Sequence, residues 1–246
     1  MIYAANWKMH LGPNEGRELV RAVLNRVRPK EGRTMLFFPP AVSLPAVAAE
    51  LAGRRDVAAG VQNVYWEPKG AFTGEISAPL AAQAGAKWAL IGHSERRHKF
   101  GETDQETARK VRAVLDAGLS PMLCVGEKLE EREAGRTEEV VLRQLEAALG
   151  ALDAATVARV VIAYEPVWAI GTGKNATPKD AASVHRTIRA WLASRTPKGT
   201  KSQILYGGSV NAKNAAELLA EQELDGVLVG GASLEVDSWV GIVESS

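Results

Sequence analysis

The 246-residue chain has little of three things: cysteine, long apolar runs and net charge. Its single cysteine, Cys124, excludes an intrachain disulfide and is typical of a reducing compartment. No stretch approaches the roughly 18 consecutive apolar residues that a membrane-spanning helix requires, so no membrane partner is expected. The 30 basic and 29 acidic residues leave a net charge of +1, which disfavours a nucleic acid or another polyanion as partner.

The first eight residues lack the features of an export signal. They are apolar but few, have no basic lead, and include the polar residue Asn6. They predict a first strand instead. Together with the single cysteine, they predict a cytoplasmic protein.

Short apolar runs recur along the chain, and most of them are followed by a helical pattern. The predicted strands lie at residues 2–7, 35–38, 57–61, 88–91, 122–125, 160–164, 204–206 and 227–229. Capping residues predict helix starts at Ser43, Thr103, Thr177 and Asn211, and a short alanine-rich helix is expected from Ser77.

These strands are too apolar to face water on either side, which favours a parallel sheet covered by helices. Eight strand–helix units in about 250 residues is the usual size of a (β/α)8 barrel. A doubly wound open sheet is the structural alternative. No low-complexity linker divides the chain, so residues 1–246 are predicted to form a single α/β domain, a (β/α)8 barrel.

In such a barrel the active site lies at the carboxyl ends of the strands. The polar residues and glycines at those positions are Asn6, Lys8, His93, Ser94, Glu95, Glu165, Gly207, Gly208, Ser209, Gly230 and Gly231. No cysteine–histidine cluster or HExxH spacing suggests a metal, and no G-x-G-x-x-G motif follows the first strand. The site is therefore expected to need neither a metal nor a dinucleotide cofactor.

Two features of this set point to chemistry. His93 stands where a strand turns toward a helix start, and the backbone N–H groups and positive helix end there would disfavour an imidazolium. The glycine pairs 207–208 and 230–231 follow the last two strands, where barrels often bind phosphate, although such pairs also occur in ordinary tight turns. The other histidines, His10, His98 and His185, are interpreted as surface or core residues.

Residues 163–174 place an acid at the end of a buried strand. In the segment after it, Pro166 and Trp168 restrict the backbone, whereas Gly171 and Gly173 allow it to bend. This pattern predicts that Glu165 is a base beneath a closing lid. The predicted lid consists of Pro166, Val167, Trp168, Ala169, Ile170, Gly171, Thr172, Gly173 and Lys174. The alternative is a capping glutamate followed by an ordinary glycine loop.

These residues lie in motifs that resemble those of the triosephosphate isomerase family. In chain order the motifs are Asn6-Trp7-Lys8, Gln62-Asn63, Gly70-Ala71-Phe72-Thr73-Gly74-Glu75, Ile91-Gly92-His93-Ser94-Glu95-Arg96-Arg97, Phe100-Gly101-Glu102-Thr103, Cys124-Val125-Gly126-Glu127, the lid segment, Tyr206-Gly207-Gly208-Ser209-Val210 and Val229-Gly230-Gly231-Ala232-Ser233-Leu234. The resemblance covers essentially the whole chain, and the shared order makes it specific.

The resemblance implies a TIM barrel that interconverts dihydroxyacetone phosphate and D-glyceraldehyde 3-phosphate, in glycolysis and gluconeogenesis, through an enediolate. By the mechanism established for that family, Glu165 moves the carbon proton and a neutral His93 donates to the carbonyl oxygen. Lys8 and Asn6 would stabilise negative charge on the substrate. Glu95 would be a charged partner within the site.

The resemblance also implies how the phosphate and the lid are held. The phosphate would bind backbone N–H groups of Gly171, Ser209, Gly230 and Gly231. Tyr206 and Ser209 would hold the closed lid, and Glu127 would pair with Trp168 in the open state. Asn175 departs from the family pattern, which commonly has threonine there; asparagine tolerates unusual backbone angles, so the difference bears on lid kinetics and not on the chemistry.

The long connection Gln62–Ser77 carries Tyr65, Trp66 and Phe72 and is more apolar than a free loop should be. It could fold onto its own barrel or form an interface. The resemblance implies a homodimer through this loop, with Thr73 reaching toward Asn6 and Glu95 of the partner subunit.

Two other functions are compatible with the fold. A different barrel enzyme acting on a sugar phosphate would share the glycine pairs, but not all of Lys8, His93 and Glu165. A non-catalytic phosphate-binding protein would not need those three side chains at all.

Overall fold

The computed structural model describes residues 1–170 and 176–245. Its strands are β1 (Ile2–Asn6), β2 (Thr34–Phe38), β3 (Val57–Val61), β4 (Trp88–Ile91), β5 (Ser120–Val125), β6 (Val161–Tyr164), β7 (Ile204–Tyr206) and β8 (Gly226–Val229). Its α-helices are α1 (Pro13–Arg26), α2 (Leu44–Glu50), α3 (Ala78–Gln83), α4 (Ser94–Lys99), α5 (Asp104–Asp116), α6 (Leu129–Glu133), α7 (Thr137–Leu149), α8 (Ala154–Val157), α9 (Pro178–Arg195), α10 (Ala215–Leu219) and α11 (Val236–Val243). Short 3-10 turns cover Ala41–Ser43, Val167–Ala169 and Gly231–Ser233.

The strands pair in parallel in the order β1 to β8, and the sheet closes into a barrel. Closure is visible at β1, where Ile2 is in register with Thr34 of β2 on one side and Gly226 of β8 on the other. The barrel prediction is therefore confirmed, and the open-sheet alternative is wrong. All eight carboxyl ends lie at one end of the barrel.

Two buried apolar layers explain why the strands read as continuous apolar runs. Alternate residues point inward, and Ala4, Phe38 and Leu90 belong to this interior layer. The intervening residues point outward and pack under the helices. Cys124 lies in the interior layer, and burial raises the pKa of its thiol well above the ordinary value, which disfavours the thiolate.

Two of the predicted caps are confirmed. The Thr103 hydroxyl accepts a hydrogen bond from the Glu106 N–H at 3.2 Å, while the Glu106 carboxylate accepts from the Thr103 N–H at 2.7 Å. Thr177 and Asp180 form the same reciprocal pair at the start of α9. The Ser77 hydroxyl also accepts from the Leu80 N–H at 3.3 Å, at the start of α3.

The helix start at Ser43 is confirmed but its side-chain cap is not, and the predicted helix start at Asn211 is wrong. Ser43 has helical backbone angles because it ends a 3-10 turn, and its hydroxyl donates to the Leu11 carbonyl at 2.8 Å instead of capping α2. Asn211 caps the turn that precedes α10, accepting from the Lys213 N–H at 2.9 Å, and the helix itself begins at Ala215. Among the helices of the described residues, none combines the length and apolar character of a membrane span.

Candidate active site

One cavity of about 360 Å³ opens at the carboxyl end of the barrel. Its lining includes Asn6, Lys8, His93, Glu165, Ser209, Gly230 and Gly231. The ends of β1, β4, β6, β7 and β8 therefore bring most of the predicted site residues together. The predicted residues Gly171, Thr172, Gly173 and Lys174, and the neighbouring Asn175, lie outside the described part of the chain.

Glu165 follows β6 directly and is 2% exposed. One carboxylate oxygen accepts a hydrogen bond from the Ser94 N–H at 2.9 Å, and the other lies 3.0 Å from His93 Nε2. Burial alone raises the pKa of Glu165, but His93, the Ser94 N–H and the Lys8 ammonium outweigh it and hold that pKa below its ordinary value. The group is therefore a carboxylate at neutral pH and able to accept a proton.

His93 is the residue immediately before α4, and Gly92 before it adopts a φ of 68°. This glycine turn aims the imidazole back over the first turn of the helix. The Glu95 N–H then donates to His93 Nδ1 at 3.3 Å. Since Nδ1 accepts this bond, the geometry assigns the ring proton to Nε2, which faces Glu165.

Lys8 has a φ of 52°, a strained value for a residue with a side chain. Its backbone is held on both sides: its N–H donates to Asn6 Oδ1 at 3.0 Å, and its carbonyl accepts from Gln62 Nε2 at 2.7 Å. The same Gln62 nitrogen donates to the Phe38 carbonyl at 2.8 Å. Sequence reasoning placed Gln62 in a motif but gave it no role, although its position just after β3 was the available signal.

Glu95 is placed beside Lys8, with 3.2 Å between its carboxylate and the ammonium. Burial raises the pKa of Glu95, but the Lys8 ammonium outweighs that effect and lowers it overall. Its other oxygen is 3.8 Å from His93 Nδ1, too far for a hydrogen bond. Glu95 therefore contacts the ammonium more closely than the imidazole.

Part of the cavity wall is formed by the glycine-containing segments that follow β7 and β8. Ser209 follows β7, and Gly230 and Gly231 follow β8 and lead into a 3-10 turn. A Cβ at position 230 would lie 3.3 Å from Lys8 Cε, so glycine there leaves room for the lysine side chain that extends from the neighbouring strand β1. The arrangement places a cation next to exposed peptide groups, which suits an anion.

The first part of the predicted lid is anchored to the end of β5. Trp168 Nε1 donates to Glu127 Oε1 at 2.9 Å, so the expected contact between these residues is present. The Tyr164 hydroxyl binds the same buried carboxylate at 3.1 Å, and the Arg132 guanidinium lies 4.4 Å from the Trp168 ring centre. The buried Tyr206 hydroxyl has no hydrogen-bond partner among residues 1–170 and 176–245.

Comparison with known proteins agrees with this geometry, because the family model for triosephosphate isomerase matches residues 1–246. The chain belongs to the triosephosphate isomerase family. It is 47% identical over 245 residues to the triosephosphate isomerase of Aquifex aeolicus, covering 99% of this chain and 98% of that protein. It is 47% identical over 244 residues to that of Thermoanaerobacter pseudethanolicus, covering 98% of each. The triosephosphate isomerase of Thiobacillus denitrificans is 48% identical over 246 residues, covering 100% of this chain and 98% of that protein.

Membership of the triosephosphate isomerase family confirms the resemblance seen in the sequence and identifies the chain as an isomerase. Among the described residues no group of three or more histidine, cysteine, aspartate and glutamate side chains has the arrangement of a metal site. Among the described residues that line the cavity, the ionisable side chains are an acid, an imidazole and an ammonium.

Proposed function

We propose that the chain interconverts dihydroxyacetone phosphate and D-glyceraldehyde 3-phosphate through an enediolate, as a cytoplasmic enzyme of glycolysis and gluconeogenesis. Residues 1–246 are proposed to act as one catalytic domain. The observation that carries the proposal is the distance of 3.0 Å between the Glu165 carboxylate and His93 Nε2, with Lys8 in the same cavity.

The two protons that the reaction moves have separate carriers. Glu165 accepts the proton from the carbon next to the carbonyl and returns it to the neighbouring carbon, so the carboxylate is regenerated. His93 donates its Nε2 proton to the carbonyl oxygen as charge develops there. The ring then recovers a proton from the other hydroxyl of the enediol.

Charge at the oxygens is balanced by Lys8 and Asn6. The Lys8 ammonium stabilises the enediolate and the phosphate dianion, and its strained backbone is fixed before substrate binds. Glu165 must exchange its bonds to Ser94 and His93 for the substrate, so the structure corresponds to a resting arrangement of the base. Glu95 is proposed to hold the ammonium in place.

We assign phosphate binding to the backbone N–H groups of Gly171, Ser209, Gly230 and Gly231. The lid formed by residues 166–174 would close over the bound substrate. An enediol phosphate exposed to water can expel its phosphate, so closure protects the intermediate and strengthens the dipoles around it. The glycines after β8 and the cation beside them support this assignment.

A second copy of the chain is proposed to complete the site. A cavity of about 240 Å³ beside Lys8 and His93 is lined by Met9 and Phe100, which are 93% and 70% exposed. The loop Gln62–Ser77 is stiffened by its own aromatic rings: Tyr65 lies 4.7 Å from Phe72, ring centre to ring centre. In the proposed dimer, this loop of the second copy would insert its Thr73 into the cavity and cover the apolar rim.

A coupled assay tests the proposed reaction directly. Glyceraldehyde 3-phosphate is supplied, and the dihydroxyacetone phosphate formed is reduced by a dehydrogenase whose cofactor absorbance is followed. Wild type should turn over well above background, and Glu165→Gln should lower kcat by about 10²–10⁴ because the amide cannot take a proton.

The matched control is Glu146→Gln, which removes a half-exposed carboxylate paired with Arg195 and should leave kcat unchanged. Folded wild type without turnover would contradict the isomerase and favour a phosphate-binding protein. Full activity in Glu165→Gln would remove the role of base from this residue.

A further inference from the structure

We infer that Gln144 is a positioning residue that fixes Gly126 and, through it, the base Glu165 and the lid anchor Trp168. This inference rests on the proposed isomerase function. Gln144 lies on α7, outside the barrel wall, and does not line the catalytic cavity.

The side-chain amide of Gln144 binds both polar groups of a single residue. Its Oε1 accepts from the Gly126 N–H at 2.8 Å, and its Nε2 donates to the Gly126 carbonyl at 3.2 Å. Gly126 follows β5, which ends at Val125, so its peptide groups have left the sheet ladder. Both residues are buried, so water cannot reach the Gly126 peptide groups. The glutamine supplies the hydrogen-bond partners that these groups need.

Gly126 in turn touches the residue that carries the base. A Cβ at position 126 would overlap the carbonyl oxygen of Glu165, so the two backbones are in direct contact. On either side of this contact, the Glu165 N–H donates to the Val125 carbonyl at 2.7 Å and the Val167 N–H donates to the Glu127 carbonyl at 3.1 Å. The exits of β5 and β6 therefore form one hydrogen-bonded unit, and a displacement of Gly126 displaces Glu165.

The same unit contains the lid anchor. Glu127 follows Gly126, is fully buried, and accepts hydrogen bonds from Trp168 and Tyr164. A rotation of the Gly126 peptide would therefore displace these two hydrogen bonds. Through Gln144, helix α7 thus fixes the positions of the base Glu165 and the lid anchor Trp168.

An apolar side chain of similar size would fill the space but could not bind either group. The Gly126 N–H and carbonyl would then be buried without partners, and the loop would shift to recover them. A shift of about 1 Å in a catalytic group can cost on the order of 10²-fold in rate. The Ser209, Gly230 and Gly231 contacts to phosphate should not move, because these residues follow β7 and β8. Only the contact assigned to Gly171 depends on the lid, so phosphate affinity should change much less than kcat.

The test compares Gln144→Leu with Val141→Ala, a cavity-forming change at a fully buried residue on the same helix. For Gln144→Leu we expect kcat to fall about 10- to 100-fold while the inhibition constant of inorganic phosphate stays within about twofold of wild type. Val141→Ala should lower the melting temperature and leave both kinetic values unchanged. This separates positioning from general loosening of the fold.

A wild-type kcat in folded Gln144→Leu overturns the inference, and so does a parallel loss of phosphate affinity. If Gln144→Leu does not fold, Gln144→Asn decides, since it keeps an amide at this position but is one methylene too short to reach the Gly126 N–H and carbonyl. It should lower kcat severalfold with phosphate affinity unchanged; a wild-type kcat overturns the inference. Absence of turnover in wild type itself would instead defeat the proposed function.

Discussion

At the scale of single residues, the position of one proton on His93 determines what the site can do. The Glu95 N–H occupies Nδ1, so a second ring proton there would face another hydrogen-bond donor. In the neutral ring the proton therefore lies on Nε2, the nitrogen that faces the cavity. A neutral imidazole can donate to an oxygen and take a proton back, which an amide side chain cannot.

For His93→Gln we expect kcat to fall by about 10²-fold, because glutamine can donate a hydrogen bond but cannot shuttle a proton. The effect on KM should be smaller than the effect on kcat. Steady-state kinetics in both directions measures this, with His98→Gln, at an exposed histidine, as the control. A loss confined to KM would show that His93 only positions the substrate.

The buried His185 makes stability depend on pH. It is fully buried, its Nδ1 lies 3.2 Å from the Glu223 carbonyl, and burial lowers its pKa to about 4. An unfolded histidine titrates near 6.5, so below that pH the unfolded chain binds a proton that the folded chain resists. This residue should lower the free energy of unfolding progressively from about pH 6.5 to pH 4, by about 3 kcal/mol in all.

The measurement is urea unfolding of wild type and His185→Gln at pH 7 and pH 4.5. The variant is expected to be less stable at pH 7, because a packed ring is lost, but to lose less stability on acidification. Equal losses in the two proteins would assign the acid sensitivity to other groups.

At the scale of elements, the strands were predictable because a strand covered on both faces leaves a continuous apolar run. The predicted run 88–91 coincides with β4, and the run 204–206 with β7. The short helix α6 was not predictable, because it has no buried residue and so carries no apolar period. Ser43 failed as a side-chain cap because its hydroxyl donates to the Leu11 carbonyl in the connection after β1, a choice that only the fold decides. Asn211 failed because its side chain caps the turn before α10.

Position relative to the strands also explains which site residues could be predicted from the sequence. Lys8, His93 and Glu165 stand at strand ends, where the barrel gathers its chemistry, and were predicted by position. Gln62 and Gln144 act through contacts between distant segments, and an isolated glutamine has no local signature. For Gln144 the only available signal was a polar residue beside Val141 and Leu145 on the buried face of α7.

The capping box of α5 gives a prediction at this scale. Thr103→Ala removes the hydroxyl that accepts from the Glu106 N–H and should cost about 1 kcal/mol. For a chain of this size that corresponds to a fall in melting temperature of about 2–4 °C. The coupled assay should show kcat unchanged, and thermal unfolding followed by circular dichroism measures the shift. A matching loss of activity would mean that α5 transmits strain to the site.

At the scale of the whole molecule, barrel closure is what assembles the site. Lys8 comes from the first strand and Gly230 from the last, yet β1 and β8 are adjacent, so the two residues meet. Closure leaves Met9 and Phe100 uncovered beside the same residues. An apolar rim so close to a catalytic ammonium links assembly to activity in the proposed dimer.

Phe100→Asp tests that link. The wild-type chain should sediment at twice its monomer mass. The variant should dissociate more readily, by roughly 30-fold or about 2 kcal/mol, because a carboxylate replaces an apolar contact in the covered rim. The released monomer should have a lower kcat, since the cavity beside Lys8 and His93 would then be open to water. Ala155→Asp, which adds the same charge on an exposed face of α8, should change neither mass nor rate.

Analytical ultracentrifugation over a range of protein concentrations, with kcat measured at each, follows both the mass and the rate. A fully active wild-type monomer would break the link, because a site that works alone needs no second chain to complete it.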